Sequence, residues 1–133
     1  MPEIRVCVTQ QQDTTASVAE IRQHRVRVDR PVAKGGSDTG PMGGELLLAS
    51  IGGCFMSNLI AAATARGVAA RDLSVQVAGE VGGTPPRFHR IQLTVSGAGL
   101  ERSELEKLAT IAERGCVVAN TLKGTTEIQL IVG

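Results

Sequence analysis

The longest apolar segment of the chain covers residues 44–67. No residue between positions 46 and 65 carries a charge, and leucine, alanine and methionine dominate the segment. This composition, with no proline, predicts one long helix that ends near Gly67, because glycine is common just after helix ends. A helix that is apolar on every side must also be covered on every side. We therefore expect a second copy of the chain to complete the cover.

Small residues repeat at every fourth position of this helix, which would let two backbones approach closely. They are Ala49, Gly53, Ser57, Ala61 and Ala65. About 20 residues at roughly 1.5 Å each would also cross a bilayer. The polar side chains within the segment and the absence of an aromatic belt argue against a membrane span. We expect the core helix of a soluble protein, with no membrane partner.

The remaining sequence alternates between apolar and polar positions in a way that is typical of strands. Strands are predicted at residues 4–9, 17–28, 73–81, 88–96 and 127–132. A second helix is predicted at residues 103–115, with Ser103 as its N-cap and Glu106 at the capping-box spacing. Residues 116–123 form a short turn or helix. The order of elements predicts a single α+β domain over residues 1–133, with a largely antiparallel sheet around the long helix.

Composition excludes several classes of function. The net charge is +1, from 14 basic and 13 acidic residues, so no basic surface for nucleic acid is expected. The two histidines and three cysteines show no metal-binding spacing, and no metal site is predicted. The glycine-rich loop at residues 34–44 lacks the phosphate-binding lysine motif. Three cysteines do not make a secreted disulfide framework, so we expect a reducing, cytoplasmic location.

Two of the cysteines, Cys54 and Cys116, are candidates for chemistry. Cys116 follows the second helix at the start of a short one, where backbone N–H groups favour the thiolate. Cys54 lies in the middle of the long helix and would need a cation from elsewhere, such as Arg22, His24 or Arg25. Glu45, at the start of that helix, could orient the cation.

Two thiols beside a cation and a carboxylate suit peroxide reduction, in which a thiolate becomes a sulfenic acid and a second thiol forms a disulfide. An apolar wall from Leu48, Ile51 and Phe55 would favour organic hydroperoxides. The alternative is two unrelated buried thiols, since free cysteine is among the most buried residue types. The spacing alone leaves both open and favours the second.

Two segments resemble the OsmC/Ohr family of osmotically induced and organic-hydroperoxide-resistance proteins. They are HRVRVDRPVAKGGSDTGPMGGELLLASIGGCF and GCVVANTLKGTTEIQL. The resemblance implies that Cys54 attacks the hydroperoxide, that Cys116 resolves the sulfenic acid, and that Glu45 with an N-terminal arginine activates Cys54. Two positions depart from the pattern of the well-characterised peroxidases: Glu45 stands nine residues before Cys54 rather than ten, and Val117 replaces the usual proline.

The resemblance further implies the OsmC-like fold, with antiparallel sheets wrapped around the central helix. It implies an intertwined homodimer with active sites at the subunit interface, and no metal or bound cofactor. The predicted function is a cysteine-based reductase of organic hydroperoxides that an external dithiol regenerates. The alternative is a dimeric OsmC-like protein that binds a small ligand or senses redox state without peroxidase turnover.

Overall fold

The computed structural model describes all 133 residues of the chain. The chain forms two compact units, residues 1–47 and residues 48–133. The assignment of one domain to residues 1–133 stays a prediction.

The first unit contains a three-stranded antiparallel sheet in which sequence neighbours pair, as the alternating pattern predicted. Its strands are β1 (Cys7–Gln10), β2 (Ser17–Ile21) and β3 (His24–Val28). The first strand was predicted from residue 4 but begins at Cys7. Ile4 and Val8 are 91% and 59% exposed, so the alternation along β1 does not mark a buried face in the single chain.

Asp29 holds the glycine-rich loop that leads into the long helix. Its carboxylate is 3% exposed and accepts hydrogen bonds from the hydroxyls of Thr15 and Thr39 and from the backbone N–H groups of Arg30, Ser37 and Thr39. Burial of the carboxyl opposes its ionisation, but these donors outweigh burial, so the pKa of Asp29 lies well below its usual range. A single side chain thus fixes the loop at three separate backbone positions.

The long helix, α1, extends over Gly43–Ala65, close to the predicted bounds. By length and composition it could cross a membrane. One side of it instead packs into the core, through Ile51, Gly52, Phe55, Leu59, Ala62 and Ala63. The stripe of small residues is exposed in the single chain, at Ala49, Gly53, Ser57, Ala61 and Ala65. The prediction of a core helix is therefore met on one face, and the small-residue face has no cover within the chain.

The second unit contains the other three-stranded sheet and the two remaining helices. Its elements are β4 (Arg71–Gly82), β5 (Arg87–Ala98), α2 (Arg102–Arg114), α3 (Val117–Leu122) and β6 (Glu127–Val132). β4 and β5 form the predicted antiparallel hairpin, and Ile91, Leu93 and Val95 of β5 pack against α1 and α2. β6 lies parallel to β5, because α2 and α3 form a crossover between the two strands. The α+β class is confirmed, with this one parallel pair.

The start of α2 differs from the prediction. Glu101, not Ser103, is the N-cap, and it forms a reciprocal capping box with Glu104. The Glu104 side chain accepts the N–H of Glu101 at 3.1 Å. A carboxylate can accept the orphan N–H groups of the first turn as well as a serine hydroxyl can, and it also complements the positive end of the helix dipole. The N-cap of the helix therefore lies two residues earlier than predicted.

Candidate active site

The second unit brings the two predicted redox cysteines together. Cys54 lies at the middle of α1 and is half-buried, whereas Cys116 is fully buried at the N-cap of α3. The two thiols are neighbours, and each influences the ionisation of the other. The Cys116 sulfur also accepts the backbone N–H of Ala119 at 3.4 Å. Cys54, at the centre of a helix, and Cys116, in the connection after α2, are thus neighbours in the structure although they are 62 positions apart in the sequence.

The environment favours ionisation of Cys54. Burial raises the pKa of its thiol. The backbone N–H of Val118, the Cys116 thiol and the N–H of Val117 together lower the pKa by a larger amount, so the net pKa is below that of an ordinary thiol. Donors directed at a sulfur stabilise the thiolate over the thiol. Cys54 was predicted to need a cation for this purpose, and the first turn of α3 already supplies part of the effect.

Cys116 is affected in the opposite direction. Burial raises the pKa of its thiol, and the N–H groups of Ala119 and Val118 only partly offset this effect. The neighbouring Cys54 raises it further, both by its hydrogen bond and by the repulsion between two negative sulfurs. The local sequence pattern favoured a thiolate at Cys116, whereas the directions of the two pKa shifts favour Cys54. Cys54 is the thiol that ionises more readily, and Cys116 is the one that keeps its proton.

Two asparagine side chains form hydrogen bonds at the junction between α2 and α3, where Cys116 lies. Asn58, one turn after Cys54 on α1, donates its Nδ2 hydrogen to the carbonyl of Ala112 at 3.2 Å. Asn120 of α3 donates in the same way to the carbonyl of Arg114 at 3.0 Å. Neither residue was among the predicted site residues. The sequence feature that could have indicated Asn58 is its uncharged amide, one helical turn after the candidate nucleophile Cys54.

The structure gives Glu45 the role of a helix cap. It is exposed in the first turn of α1, and its carboxylate accepts the N–H of Met42 at 2.9 Å. This is the reciprocal half of a capping box. No arginine, lysine or histidine lies within 4.0 Å of it in the chain, while Arg25 pairs at the limit of 4.0 Å with Glu20. The predicted contact between Glu45 and a cation is not formed within one chain.

The predicted apolar wall is wrong in two of its three residues. Ile51 and Phe55 are 0% and 1% exposed, so they belong to the core and cannot contact a ligand of Cys54. Leu48 is half-buried and lines a surface groove of about 510 Å³ that runs along α1 and β4. Gly53, the residue before Cys54, lines the same groove. The helical period explains the error, because the side of α1 that packs into the core carries its largest apolar residues.

The third cysteine has no thiol partner. Cys7 lies exposed on β1, and its sulfur has one hydrogen-bond partner, the hydroxyl of Thr9 at 3.8 Å. No group of three or more His, Cys, Asp or Glu side chains is arranged to hold a metal ion.

Comparisons with known proteins agree with the architecture. No curated protein sequence matches the chain. An OsmC-like protein from Mycoplasma pneumoniae superposes with a TM-score of 0.85 at 18% identity, over 99% of this chain and 96% of that chain. An organic hydroperoxide resistance protein OsmC from Legionella pneumophila gives 0.78 at 19% identity, over 100% and 99% of the two chains. A further organic hydroperoxide resistance protein, from Elizabethkingia anophelis, gives 0.79 at 19% identity, over 100% and 96%.

At these identities the likeness establishes the fold alone. The sequence itself matches the family model described as OsmC-like protein over residues 35–131. That range begins in the glycine-rich loop and extends into β6, so it contains both cysteines. The chain belongs to the OsmC-like protein family.

Proposed function

We propose that this protein is a thiol-dependent reductase of organic hydroperoxides, with Cys54 as the attacking residue and Cys116 as the resolving residue. The observation that carries the proposal is the opposite displacement of the two pKa values within one pair of neighbouring thiols. A peroxidase of this type needs one thiol that ionises readily and one that stays protonated until the first has reacted. The membership of the OsmC-like family supports the same assignment.

In the first half-reaction the Cys54 thiolate attacks the terminal oxygen of the hydroperoxide. The O–O bond breaks, the sulfur is oxidised to a sulfenic acid, and the alkoxide takes up a proton and leaves as an alcohol. In the second half-reaction Cys116 attacks the Cys54 sulfur, an S–S bond forms, and water leaves. An external dithiol then reduces the disulfide by two successive thiol–disulfide exchanges and is itself oxidised. No metal or cofactor takes part.

An organic hydroperoxide is the proposed substrate class. An apolar groove that includes Leu48, Met56 and Val77 lies along α1 and β4 next to Gly53, and it suits an alkyl or aryl group, although neither cysteine lines it. The relatives from Legionella pneumophila and Elizabethkingia anophelis are both named as organic hydroperoxide resistance proteins.

The proposed working form is a cytoplasmic homodimer. The uncovered stripe of small residues on α1 supports a second copy as its cover, because an apolar helix face that meets only water is unfavourable. The activating cation for Glu45 and Cys54 then comes from an N-terminal arginine, with Arg22 and Arg25 as candidates. Arg22 is exposed, with a positive φ of 55° in the turn between β2 and β3.

The test is steady-state consumption of cumene hydroperoxide with dithiothreitol as the reductant. Wild type, Cys54→Ser and Cys116→Ser are compared, with Cys7→Ser as the matched control for an unrelated thiol. We expect Cys54→Ser to be inactive, Cys116→Ser to be strongly impaired and Cys7→Ser to match wild type. Hydrogen peroxide should be consumed more slowly than cumene hydroperoxide.

Two outcomes would overturn the proposal. If wild type consumes the hydroperoxide no faster than Cys54→Ser, the protein is not a reductase. If in addition one equivalent of hydroperoxide still converts the pair to a disulfide that dithiothreitol reopens only slowly, a redox-sensing role replaces the enzymatic one. Mass spectrometry of the peptide pair distinguishes these two results.

A further inference from the structure

The end of α2 leads directly to Cys116. Two of the last four backbone carbonyls of α2 accept hydrogen bonds from asparagine side chains. The last four carbonyl groups of an α-helix have no partner within the helix. In α2 these belong to Ile111, Ala112, Glu113 and Arg114. The first and third accept the N–H groups of Gly115 and Cys116, at 3.2 Å and 3.1 Å. The second and fourth accept the side-chain amides of Asn58 and Asn120.

The common alternative for a helix end is missing here. Many helices end with a glycine in the left-handed conformation, whose geometry returns N–H groups to the last carbonyls. Gly115 instead keeps right-handed helical angles, with φ of −90° and ψ of −1°. The chain therefore continues from α2 into Cys116 without a left-handed residue. The amides of Asn58 and Asn120 bind the two carbonyls that the backbone leaves without a partner.

The two amides differ in what they connect. Asn120 belongs to α3, so its bond to Arg114 joins α2 to the element that immediately follows it. Asn58 belongs to α1 and lies four residues after Cys54, which places both on the same face of that helix. Its bond to Ala112 joins the helix of Cys54 to the end of α2, which leads directly to Cys116.

Asn58 also packs closely against the joint itself. A Cβ atom added at Gly115 would lie 3.4 Å from Nδ2 of Asn58. The amide thus leaves little space beside the residue immediately before Cys116 while it bonds to the carbonyl of Ala112. One side chain of α1 therefore lies next to the segment that carries Cys116.

We propose that Asn58 is a positioning residue for the resolving step, and that it holds Cys116 where its sulfur can reach the sulfur of Cys54. The inference rests on the proposed function for its biological meaning, since only a protein that closes this disulfide needs such a residue. Disulfide closure depends strongly on the approach of the two sulfurs, because the permitted geometry is narrow. A residue that fixes the approach accelerates closure without changing the attack on substrate.

The experiment measures closure with 5,5′-dithiobis(2-nitrobenzoate) instead of a hydroperoxide, in a Cys7→Ser background. The Cys54 thiolate breaks the reagent's disulfide, forms a mixed disulfide and releases one thionitrobenzoate. Cys116 then attacks the Cys54 sulfur, closes the protein disulfide and releases the second. The two releases are followed separately by absorbance at a single equivalent of reagent. They report attack by Cys54 and closure by Cys116, respectively.

The variants are Asn58→Leu, which keeps the size of the side chain but has no donor, and Asn58→Gln, which keeps the amide. We expect Asn58→Leu to slow the second release by about tenfold or more and to leave the first within about twofold of wild type. Asn58→Gln should recover part of the loss. The matched control is Asn120→Leu, which removes the other amide from the same helix end but does not disconnect α1, and its second release should stay much closer to wild type.

The results separate the inference from its alternatives. If Asn58→Leu and Asn120→Leu slow the second release equally, the amides only cap α2 and the inference is wrong. It is equally wrong if Asn58→Leu slows both releases together, or neither. Thermal unfolding of each variant shows whether it is folded at the assay temperature, and Gln at position 58 provides a second reading if Leu unfolds. Because no hydroperoxide is used, failure of the proposed reductase activity leaves this test interpretable.

Discussion

The Cys54 and Cys116 thiols are neighbours, and each changes the ionisation of the other. The Cys116 thiol lowers the pKa of Cys54 by donating to its sulfur, and Cys54 raises the pKa of Cys116. The two groups therefore titrate as a pair in which the first proton lost comes mainly from Cys54. In the proposed cycle, this asymmetry makes Cys54 the attacking thiol and Cys116 the resolving thiol.

The pH dependence of alkylation tests the asymmetry. Iodoacetamide reacts with the thiolate, so the rate at Cys54 should reach half its maximum at a lower pH than that of a peptide thiol, whose pKa is about 8.5. The site of modification is identified by mass spectrometry in a Cys7→Ser background. In Cys116→Ala, which lacks the donor, the profile of Cys54 should move to higher pH. A profile that stays in place after this substitution would contradict the thiol–thiol hydrogen bond.

Asp29 makes a second pH-dependent prediction, which concerns stability. Its folded pKa lies below that of the unfolded chain, near 3.9. The native state then binds fewer protons than the unfolded state between the two pKa values, so this part of the free energy of unfolding is fully present above about pH 4 and is lost as the pH falls through the folded pKa. We expect wild type to lose thermal stability more steeply below pH 4 than Asp29→Asn does.

Asp29→Asn should also be less stable than wild type at neutral pH. An amide offers one acceptor oxygen where the carboxylate offers two, and Thr15 and Thr39 bond to different oxygens of Asp29. The matched control is Asp13→Asn, an exposed residue of the loop between β1 and β2. Thermal unfolding monitored by circular dichroism measures both. Equal melting temperatures for Asp29→Asn and wild type at pH 7 would show that the carboxylate does not hold the loop.

The sequence predicted those parts of the structure that depend on local periodicity. α1, the hairpin of β4 and β5, and β6 all lie close to their predicted bounds, because each has a sustained apolar pattern. The approach of Cys116 to Cys54 was predicted from family resemblance, since no local pattern relates residues so far apart. The parallel pairing of β6 was missed for the same reason.

The details of the site depended on tertiary contacts that periodicity does not record. Packing against the core determines which apolar side chains of α1 are buried. Ile51 and Phe55 are among the buried ones and therefore cannot form a substrate wall. The bond from Asn58 to Ala112 joins elements that no spacing rule connects. The sequence placed Asp29 only just after the strand predicted at residues 17–28. Its buried network depends on donors spread over residues 15–39.

The uncovered stripe on α1 predicts the effect of a charge placed on it. Ala61→Arg adds a long cation to a face of small side chains that is exposed in the single chain. The chain should fold, because the substitution touches no core residue, but a dimer that buries this face should dissociate. Light scattering coupled to size exclusion would report a change from dimer to monomer. Thr110→Arg, on the exposed side of α2, is the control and should not change the mass. A monomeric wild type would exclude the dimer.

Glu45 can act as a cap, as an electrostatic partner of a cation, or as both, and two substitutions separate these roles. Glu45→Gln keeps an oxygen that can accept the N–H of Met42 but removes the charge, whereas Glu45→Ala removes both. Loss of a helix cap typically costs about 0.5–2 kcal/mol, so Ala should lower stability and Gln should not.

If Glu45 also holds the cation that assists Cys54, both variants should reduce the cumene hydroperoxide kcat/KM by about tenfold or more, as expected when one partner of a charged, hydrogen-bonded pair is neutralised. Stability and turnover would then respond differently to the same two substitutions. Full activity in Glu45→Gln would leave Glu45 with the capping role alone. In that case the N–H groups of Val117 and Val118, together with the Cys116 thiol, would be the principal activators of Cys54.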